Sequence, residues 1–121
     1  MRRNKPIGFH IIVDCFECDF SKLRDISMGE IKKIISGIID EAGLCEQGNF
    51  YKYFGPGAMS GIVSLAESHV SFHTWPEIGY VSMDIFVCNY RKDNSSAAES
   101  VSKNIINLCR PGRIKKRVIY R

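Results

Sequence analysis

Apolar residues recur along this chain with two different periods, one typical of strands and one typical of helices. Residues 7–16 are almost continuously apolar and rich in β-branched side chains, which predicts a buried strand. Ser27 and Glu30 then have the spacing of a helix capping box, and Gly43 is placed to end that helix. Between them, apolar residues repeat at helical spacing and form one stripe: Ile31, Ile34, Ile35, Ile38, Ile39 and Ala42. The pattern predicts a strand followed by an amphipathic helix that packs on a sheet.

The rest of the chain consists mostly of short apolar segments separated by turn residues. Strands are predicted at 50–54, 60–67, 69–75, 80–88 and 114–120, with a sharp turn at 55–57. A second helix is predicted from Ser96, which has capping-box spacing with Glu99, to Cys109. The resulting order is β-α-β-β-β-β-α-β. Short turns between consecutive strands predict an α+β fold, a two-layer sandwich with a mainly antiparallel sheet and two helices on one face.

Length and composition limit the class of protein. With 121 residues, of which 45% are hydrophobic and 25% charged, the chain is expected to form one globular domain spanning 1–121. No apolar run approaches the ~20 residues that span a bilayer, so no membrane partner is expected. The five cysteines lack the spacing of a disulfide framework, and acidic residues follow the basic N-terminus before any long apolar run. Both features favour a cytoplasmic protein with reduced thiols.

Charge is divided between the ends and the middle of the chain. The net charge is +4, yet nine of the 17 basic residues lie within 2–5 or 110–121, and all 13 acidic residues lie between those ends. The basic ends lack the interleaved aromatic residues of a base-stacking surface, so nucleic acid is not an expected partner. An acidic body favours a small cationic ligand instead.

The segment 65–77 carries the clearest chemical signal. Its Glu67–Ser68 bond has a hydroxyl eight residues before the serine, on Ser60, and an imidazole five residues after it, on His73. This arrangement closely resembles the self-processing site of the small bacterial and archaeal S-adenosylmethionine decarboxylases. The likeness runs from about Ile7 to the C-terminus with matching order and spacing, so it covers nearly the whole chain.

The resemblance implies that the chain cuts itself. In this family a serine hydroxyl attacks the carbonyl before it, a base removes the serine α-proton, and the serine becomes a pyruvoyl group. Carried onto this chain, Ser68 is the pyruvoyl precursor that captures the substrate amine as a Schiff base. Glu67 then ends a 1–67 fragment (the beta chain), and 68–121 is the alpha chain. His73 matches the processing base, Ser60 the hydroxyl that assists the acyl shift, and Cys88 the proton donor to the substrate carbon.

The resemblance also implies a cofactor made from the chain itself. A pyruvoyl group acts as an electron sink in place of pyridoxal phosphate, so neither pyridoxal phosphate nor a metal is expected. The competing hypothesis is a zinc site on His69 and His73, whose HxxxH spacing chelates metal on a helix. The segment is strand-like, however, and at ~3.3 Å per residue the two imidazoles start about 13 Å apart. One zinc ion, with ligands near ~2.0 Å, is therefore not expected to bind both.

Two residues match family positions that contact the substrate. Glu77 matches an acidic position near the ligand, and Phe54 matches an aromatic position whose ring stacks on adenine or meets a sulfonium. Ordinary core packing is the alternative for Phe54. The implied small-molecule substrate is S-adenosylmethionine, and its product supplies aminopropyl groups for spermidine and other polyamines. The implied assembly is a homodimer with active sites near the interface, which would also cover the second face of the sheet.

Two other functions stay open from the sequence. Some members of this fold family decarboxylate arginine or ornithine, and Phe9 and Ala58 depart from the usual family pattern near the pocket. The other alternative is an unprocessed, inactive homologue that acts as a binding or regulatory subunit. The presence of all five processing and catalytic residues argues against that alternative.

Overall fold

The computed structural model describes residues 5–121, and within that range six strands and two helices follow the predicted order. The strands are β1 (Gly8–Phe16), β2 (Gly48–Gly55), β3 (Ala58–Ser64), β4 (His69–Trp75), β5 (Tyr80–Cys88) and β6 (Arg113–Tyr120). The helices are α1 (Met28–Glu41) and α2 (Ser95–Cys109). Short 3-10 turns cover Leu23–Asp25 and Pro76–Ile78.

All six strands form one antiparallel sheet in the order β2-β3-β4-β5-β1-β6. The helix α2 packs on β1 and β5, and α1 packs beside α2 and against β2. Buried residues of both helices join one core with the same side of the sheet. The predicted α+β sandwich, with both helices on one face, is confirmed.

Alternate residues of the central strands point at the helices and form the core. Ile11 and Ile85 are fully buried, at 0% exposure, and Val13 and Val81 are exposed by only 1%. This alternation follows from the two-residue repeat of a strand, which sends successive side chains to opposite faces. Each such aliphatic side chain contributes roughly 1.5–3 kcal/mol by leaving water. This helix-covered face therefore supplies most of the hydrophobic stabilisation.

The intervening strand residues form the opposite side of the sheet, called the open face below, which neither helix covers. It carries polar side chains of β1, β4 and β5 together with large apolar ones. Phe50, Ile62 and Trp75 are exposed by 65%, 49% and 38%. An exposed apolar surface of this kind is typical of an interaction site.

The helix α1 begins and ends as the sequence predicts. The Ser27 hydroxyl accepts the Glu30 N–H at 3.2 Å, and the Glu30 carboxylate accepts the Ser27 N–H at 3.5 Å. Gly43 follows the helix with a φ of +83°, a left-handed conformation that glycine adopts without steric cost. The capping box therefore satisfies backbone groups that the first turn leaves unpaired.

The helix α2 begins one residue earlier than predicted, and Ser96 is not its cap. Asn94 is the N-cap residue, and its side chain makes no capping bond. The Ser95 N–H instead donates to the Asp93 carboxylate at 2.9 Å, while the Asn94 amide donates to the Cys88 carbonyl at 2.9 Å. The prediction was wrong because loop contacts fix the entry to this helix and leave Ser96 inside the first turn.

Neither helix described within residues 5–121 is both long enough and apolar enough to cross a membrane. The longer one, α2, has 15 residues and polar positions throughout.

Candidate active site

The bond between Glu67 and Ser68 lies in a tight turn between β3 and β4. The Leu65 N–H donates to the Ser68 carbonyl at 2.8 Å and closes the turn. Ala66 has a φ of +67°, which is uncommon for a residue with a side chain. Because of this turn, β3 ends at Ser64 and not at Glu67 as predicted. The turn holds the candidate cleavage bond at the edge of the open face, in a locally strained segment.

The strand β5 places Cys88 directly beside this turn. The Cys88 N–H donates to the Ser68 hydroxyl at 3.1 Å, and its thiol lies 3.6 Å from a Glu67 carboxylate oxygen. Ser68 and Cys88 are half-buried, and Glu67 is exposed. Three of the predicted residues therefore form one cluster, called the cleavage cluster below: Glu67, Ser68 and Cys88.

Two other predicted residues form a separate pair. Ser60 and His73 are direct cross-strand neighbours of β3 and β4, and the Ser60 hydroxyl lies 2.7 Å from His73 Nδ1. A hydroxyl in hydrogen-bond contact with an imidazole can exchange a proton with it. This Ser60–His73 pair also lies on the open face, because its residues alternate with buried Met59 and Phe72.

The cleavage cluster and the Ser60–His73 pair do not meet within one chain. His73 lies four residues further along β4 than His69, which is about 13 Å at ~3.3 Å per residue. Ser68 lies one residue further away. Spacing along the chain does not reveal strand register. The register places the Ser60–His73 pair near the end of β4, whereas Ser68 directly precedes the start of β4.

Both predicted substrate residues lie at the end of the sheet that holds the Ser60–His73 pair. Phe54 is near the end of β2, beyond the residue that pairs with Ser60, and Glu77 is exposed in the turn after β4. Phe54 is exposed by 66%, so the alternative of ordinary core packing is wrong. Its ring is available to a ligand or to another chain.

Aromatic rings continue from this end across the open face. Trp75 stacks on Tyr80 with centroids 5.2 Å apart, and Tyr80 stacks on Phe16 at 5.3 Å. The Tyr80 hydroxyl donates to the Asp14 carboxylate, and this bond, together with burial, raises the pKa of Tyr80 to about 12. His73 lies 6.0 Å from Trp75, ring to ring, so the row ends at the Ser60–His73 pair.

A second polar group lies beside the cleavage cluster, and the sequence did not indicate it. His10 Nε2 and His69 Nε2 each lie 2.8 Å from the same oxygen of Asp84, and the Ser71 hydroxyl donates to the other oxygen. Burial alone would raise the pKa of the Asp84 carboxyl, but the three hydrogen bonds outweigh burial and the pKa is lowered. Neither His10 nor Asp84 was among the site residues predicted from the sequence. Polar residues at open-face positions of three adjacent strands were the available signal.

This Asp84 group also contains three side chains of the types that bind metal ions. The ligand atoms of His10, His69 and Asp84 lie within 4.8 Å of one another, and no other such trio occurs in residues 5–121. His69 and His73, the pair considered from the sequence, have different partners, Asp84 and Ser60.

Comparison with known proteins identifies one family. The family profile described as S-adenosylmethionine decarboxylase matches residues 9–121. The chain is 36% identical over 116 residues to the S-adenosylmethionine decarboxylase proenzyme of Archaeoglobus fulgidus, covering 95% of this chain and 97% of that protein. It is 31% identical over 117 residues to the proenzyme of the same name from Sulfurihydrogenibium sp., covering 97% and 84%.

The fold gives the same result. The crystal structure of the adenosylmethionine decarboxylase from Aquifex aeolicus matches with a TM-score of 0.80 and 32% sequence identity, covering 97% of this chain and 92% of that chain. Sequence and fold therefore agree over almost the full length, and the chain belongs to the S-adenosylmethionine decarboxylase family.

Proposed function

We propose that this protein is a self-processing, pyruvoyl-dependent carboxy-lyase that decarboxylates S-adenosylmethionine and so supplies aminopropyl groups for spermidine synthesis. The observation that carries the proposal is the cleavage cluster, in which a strained turn presents Glu67–Ser68 to the backbone N–H and thiol of Cys88. The relatives described above are named as proenzymes of this decarboxylase, which supports S-adenosylmethionine over arginine or ornithine as substrate.

Self-processing begins at Ser68. Its hydroxyl oxygen attacks the Glu67 carbonyl carbon, the peptide C–N bond breaks, and the Ser68 nitrogen becomes an amine. Ser60 assists this acyl shift. His73 then removes the Ser68 α-proton, and the Glu67 carboxylate leaves with the former serine oxygen. Position 68 is then a dehydroalanine, which takes up water and releases ammonia to leave the pyruvoyl group. The products are fragment 1–67 and fragment 68–121, which begins with that group.

The residues around Ser68 fit the pyruvoyl group that this step would leave. When formed, the group supplies a carbonyl that captures the substrate amine and accepts the electrons released with carbon dioxide. The Cys88 backbone N–H donates to the Ser68 hydroxyl in the uncut chain. Its half-buried thiol is placed to return a proton to the substrate carbon. No pyridoxal phosphate or metal is required for these steps.

A homodimer brings the two separated groups together. In a dimer formed by two open faces, a twofold axis running across the strands reverses strand direction between the protomers. The Ser60–His73 pair of one protomer then approaches the cleavage cluster of the other, and Phe54 and Glu77 approach with it. The exposed Ile62 and Trp75 would be buried by the same contact. Each site in this proposal is built from two chains.

Mixed dimers test both the self-cleavage chemistry and the sharing of each site between two chains. Ser68→Ala removes the cleavage serine and keeps the Ser60–His73 pair, whereas His73→Ala keeps the serine and loses the base. Neither variant alone should cleave. Mixed together, the His73→Ala chain should be cut after Glu67 while the Ser68→Ala chain stays whole, as intact mass shows. If the mixture stays uncut although the wild type cuts itself, the site lies within one chain.

Substrate capture is tested on the cleaved wild type. Reduction with cyanoborohydride in the presence of S-adenosylmethionine, arginine or ornithine should leave one adduct on the 68–121 fragment with S-adenosylmethionine alone. An adduct with arginine or ornithine instead would replace the substrate assignment. A wild-type chain that never cleaves would make the protein a binding subunit.

A further inference from the structure

The steps above leave unused the hydrogen-bonded group formed by His10, His69, Ser71 and Asp84. It lies on the open face at the end of the sheet that holds the cleavage cluster. One of its members, His69, is joined by a peptide bond to Ser68, and the ring of His69 stacks on Phe86 at 5.9 Å with an interplanar angle of 21°. Asp84 and Phe86 thus fix the His69 imidazole within one residue of the candidate cleavage bond.

The distances in this group are those of hydrogen bonds and not of metal ligands. Atoms bound tetrahedrally to one zinc ion at ~2.0–2.1 Å lie roughly 3.3 Å apart. Both imidazole nitrogens lie only 2.8 Å from the Asp84 oxygen. In addition, Arg121 Nη1 lies 3.5 Å from His10 Nδ1. A guanidinium only donates, so Nδ1 of His10 accepts, and the Nε2–H of His10 donates a hydrogen bond to the Asp84 carboxylate. A metal would need the lone pair of that Nε2.

The two imidazoles differ in whether their second nitrogen, Nδ1, is free to accept a proton. Nδ1 of His10 faces a cation and is occupied. Nδ1 of His69 has no hydrogen-bond partner among residues 5–121, and the His69 side chain is 41% exposed. With its Nε2–H held by Asp84, His69 presents a lone pair at Nδ1, and the adjacent carboxylate stabilises the imidazolium that forms when Nδ1 takes a proton.

We propose that His69 is the group that moves the proton in the acyl shift at Ser68, and that Asp84 is its positioning residue. The proposal rests on the proposed function. The Ser68 oxygen–carbon bond forms, the Glu67–Ser68 C–N bond breaks, and one proton passes from the hydroxyl to His69 Nδ1 and on to the departing nitrogen. No oxidant or further reactant is needed. His73 keeps the later step, removal of the α-proton.

Two variants separate the steps. His69→Gln can still donate a hydrogen bond to Asp84 but carries no titrating nitrogen, and it should slow cleavage about 10²- to 10⁴-fold, the range for general acid–base catalysis. Its uncut chain should hold a normal peptide bond, stable to neutral hydroxylamine. His73→Ala should stop after the acyl shift and hold an ester, which hydroxylamine splits into a 67-residue hydroxamate and a 54-residue chain starting with Ser68. Ester in His69→Gln would overturn the proposal.

A double-mutant cycle tests the positioning role. Asp84→Asn should slow cleavage by a factor similar to that of His69→Gln, and the double variant should be no slower than either, because Asp84 acts through His69. Additive losses would mean independent structural effects. Imidazole added to His69→Ala should restore part of the cleavage rate, and imidazole should not restore Asp84→Asn. If His69→Gln does not fold, Asp84→Asn and this rescue carry the same test.

His10→Gln is the matched control. His10 donates to the same Asp84 oxygen at the same distance, but it lies on β1, which β5 separates from β4. Its cleavage rate should stay within about threefold of wild type. An equal loss in His10→Gln, or stoichiometric zinc in the protein with EDTA slowing cleavage, would overturn the assignment. If the wild type and His69→Gln cleave at the same rate, this proposal fails and the proposed function stands. If the wild type does not cleave at all, the proposed function itself fails.

Discussion

The two faces of the sheet are made from alternate residues of the same strands, yet they have opposite properties. Toward the helices, Ile11 and Ile85 are fully buried, at 0% exposure. One residue along the same strands, His10 and Asp84 lie on the open face and bond to each other across β1 and β5. The first set contributes stability through burial. The polar side chains of the second set can approach one another because no core packing constrains them.

The difference teaches where this small domain can hold its chemistry. The 45% hydrophobic content is enough to fill one core between the sheet and two helices. Reactive side chains at helix-facing positions would face an apolar layer and be left unsatisfied. On the open face they can hydrogen-bond to one another, and a second chain can remove the water.

Changing a reactive group of the open face should have the largest effect and should leave folding intact. Cys88→Ala removes the thiol but keeps the backbone N–H that holds Ser68. We expect normal cleavage and a decarboxylation rate about 10²- to 10⁴-fold lower, the range for loss of a general acid. Intact mass and release of carbon dioxide measure the two steps. Turnover within threefold of wild type would remove Cys88 from its assigned role.

The helix-covered face should respond in the opposite way. Ile85→Ala leaves a cavity in the core and should lower the unfolding free energy by about 2–5 kcal/mol. Ile62→Ala is the matched change on the open face, where the side chain is 49% exposed. In the dilute monomer it should cost less than about 0.5 kcal/mol, as surface changes do. Urea unfolding measures both, and equal losses would contradict the division between the faces.

Within the helix layer, serine-to-alanine changes at the starts of the two helices should lower the unfolding free energy by different amounts. Ser27→Ala removes the hydroxyl that accepts the Glu30 N–H in a complete capping box and should cost about 0.5–2 kcal/mol. Ser96→Ala changes a serine that makes no cap and should stay within about 0.5 kcal/mol of wild type. Thermal or urea unfolding checks the pair. A larger loss of unfolding free energy in Ser96→Ala would support the capping box predicted from the sequence at Ser96.

The smallest effect is the acid dependence of stability on the open face. The lowered pKa of Asp84 means that the folded chain binds this proton less tightly than the unfolded chain. Its contribution is therefore present above the unfolded pKa, about 3.9, and is lost as pH falls through the lower folded value. The stability difference between wild type and Asp84→Asn should shrink as the pH falls below about pH 4. Urea unfolding across pH 3–7 would show a constant difference if Asp84 made no such contribution.

The sequence predicted the fold well where periodicity and local signals agreed. The stripe from Ile31 to Ala42 lies between a true capping box and a left-handed Gly43, so α1 was predicted at both ends. The family, the sheet and the helices on one face are confirmed. The Glu67–Ser68 cut, the site roles, the dimer and the cytoplasmic location stay predictions. The start of α2 was wrong because contacts of Asp93 and Asn94 depend on the folded loop.

The candidate site was predicted only in part because its geometry depends on strand register. Spacing along the chain placed Ser60 and His73 near Ser68, whereas the hairpin carries the pair to the far end of β4. Asp84 was missed because its partner His10 is 74 residues away in sequence. Only the order of the strands makes β1, β4 and β5 neighbours of that carboxylate.

The strand order has a mechanical consequence for a chain cut after Glu67. The first fragment would contain β1, β2 and β3, and the second would contain β4, β5 and β6. In the sheet these interlock, because β1 lies between β5 and β6, and β4 pairs with β3. Pulling the fragments apart would break three strand pairings at once. The break would therefore free two chain ends at the site without loosening the scaffold, and the two pieces would part only on unfolding.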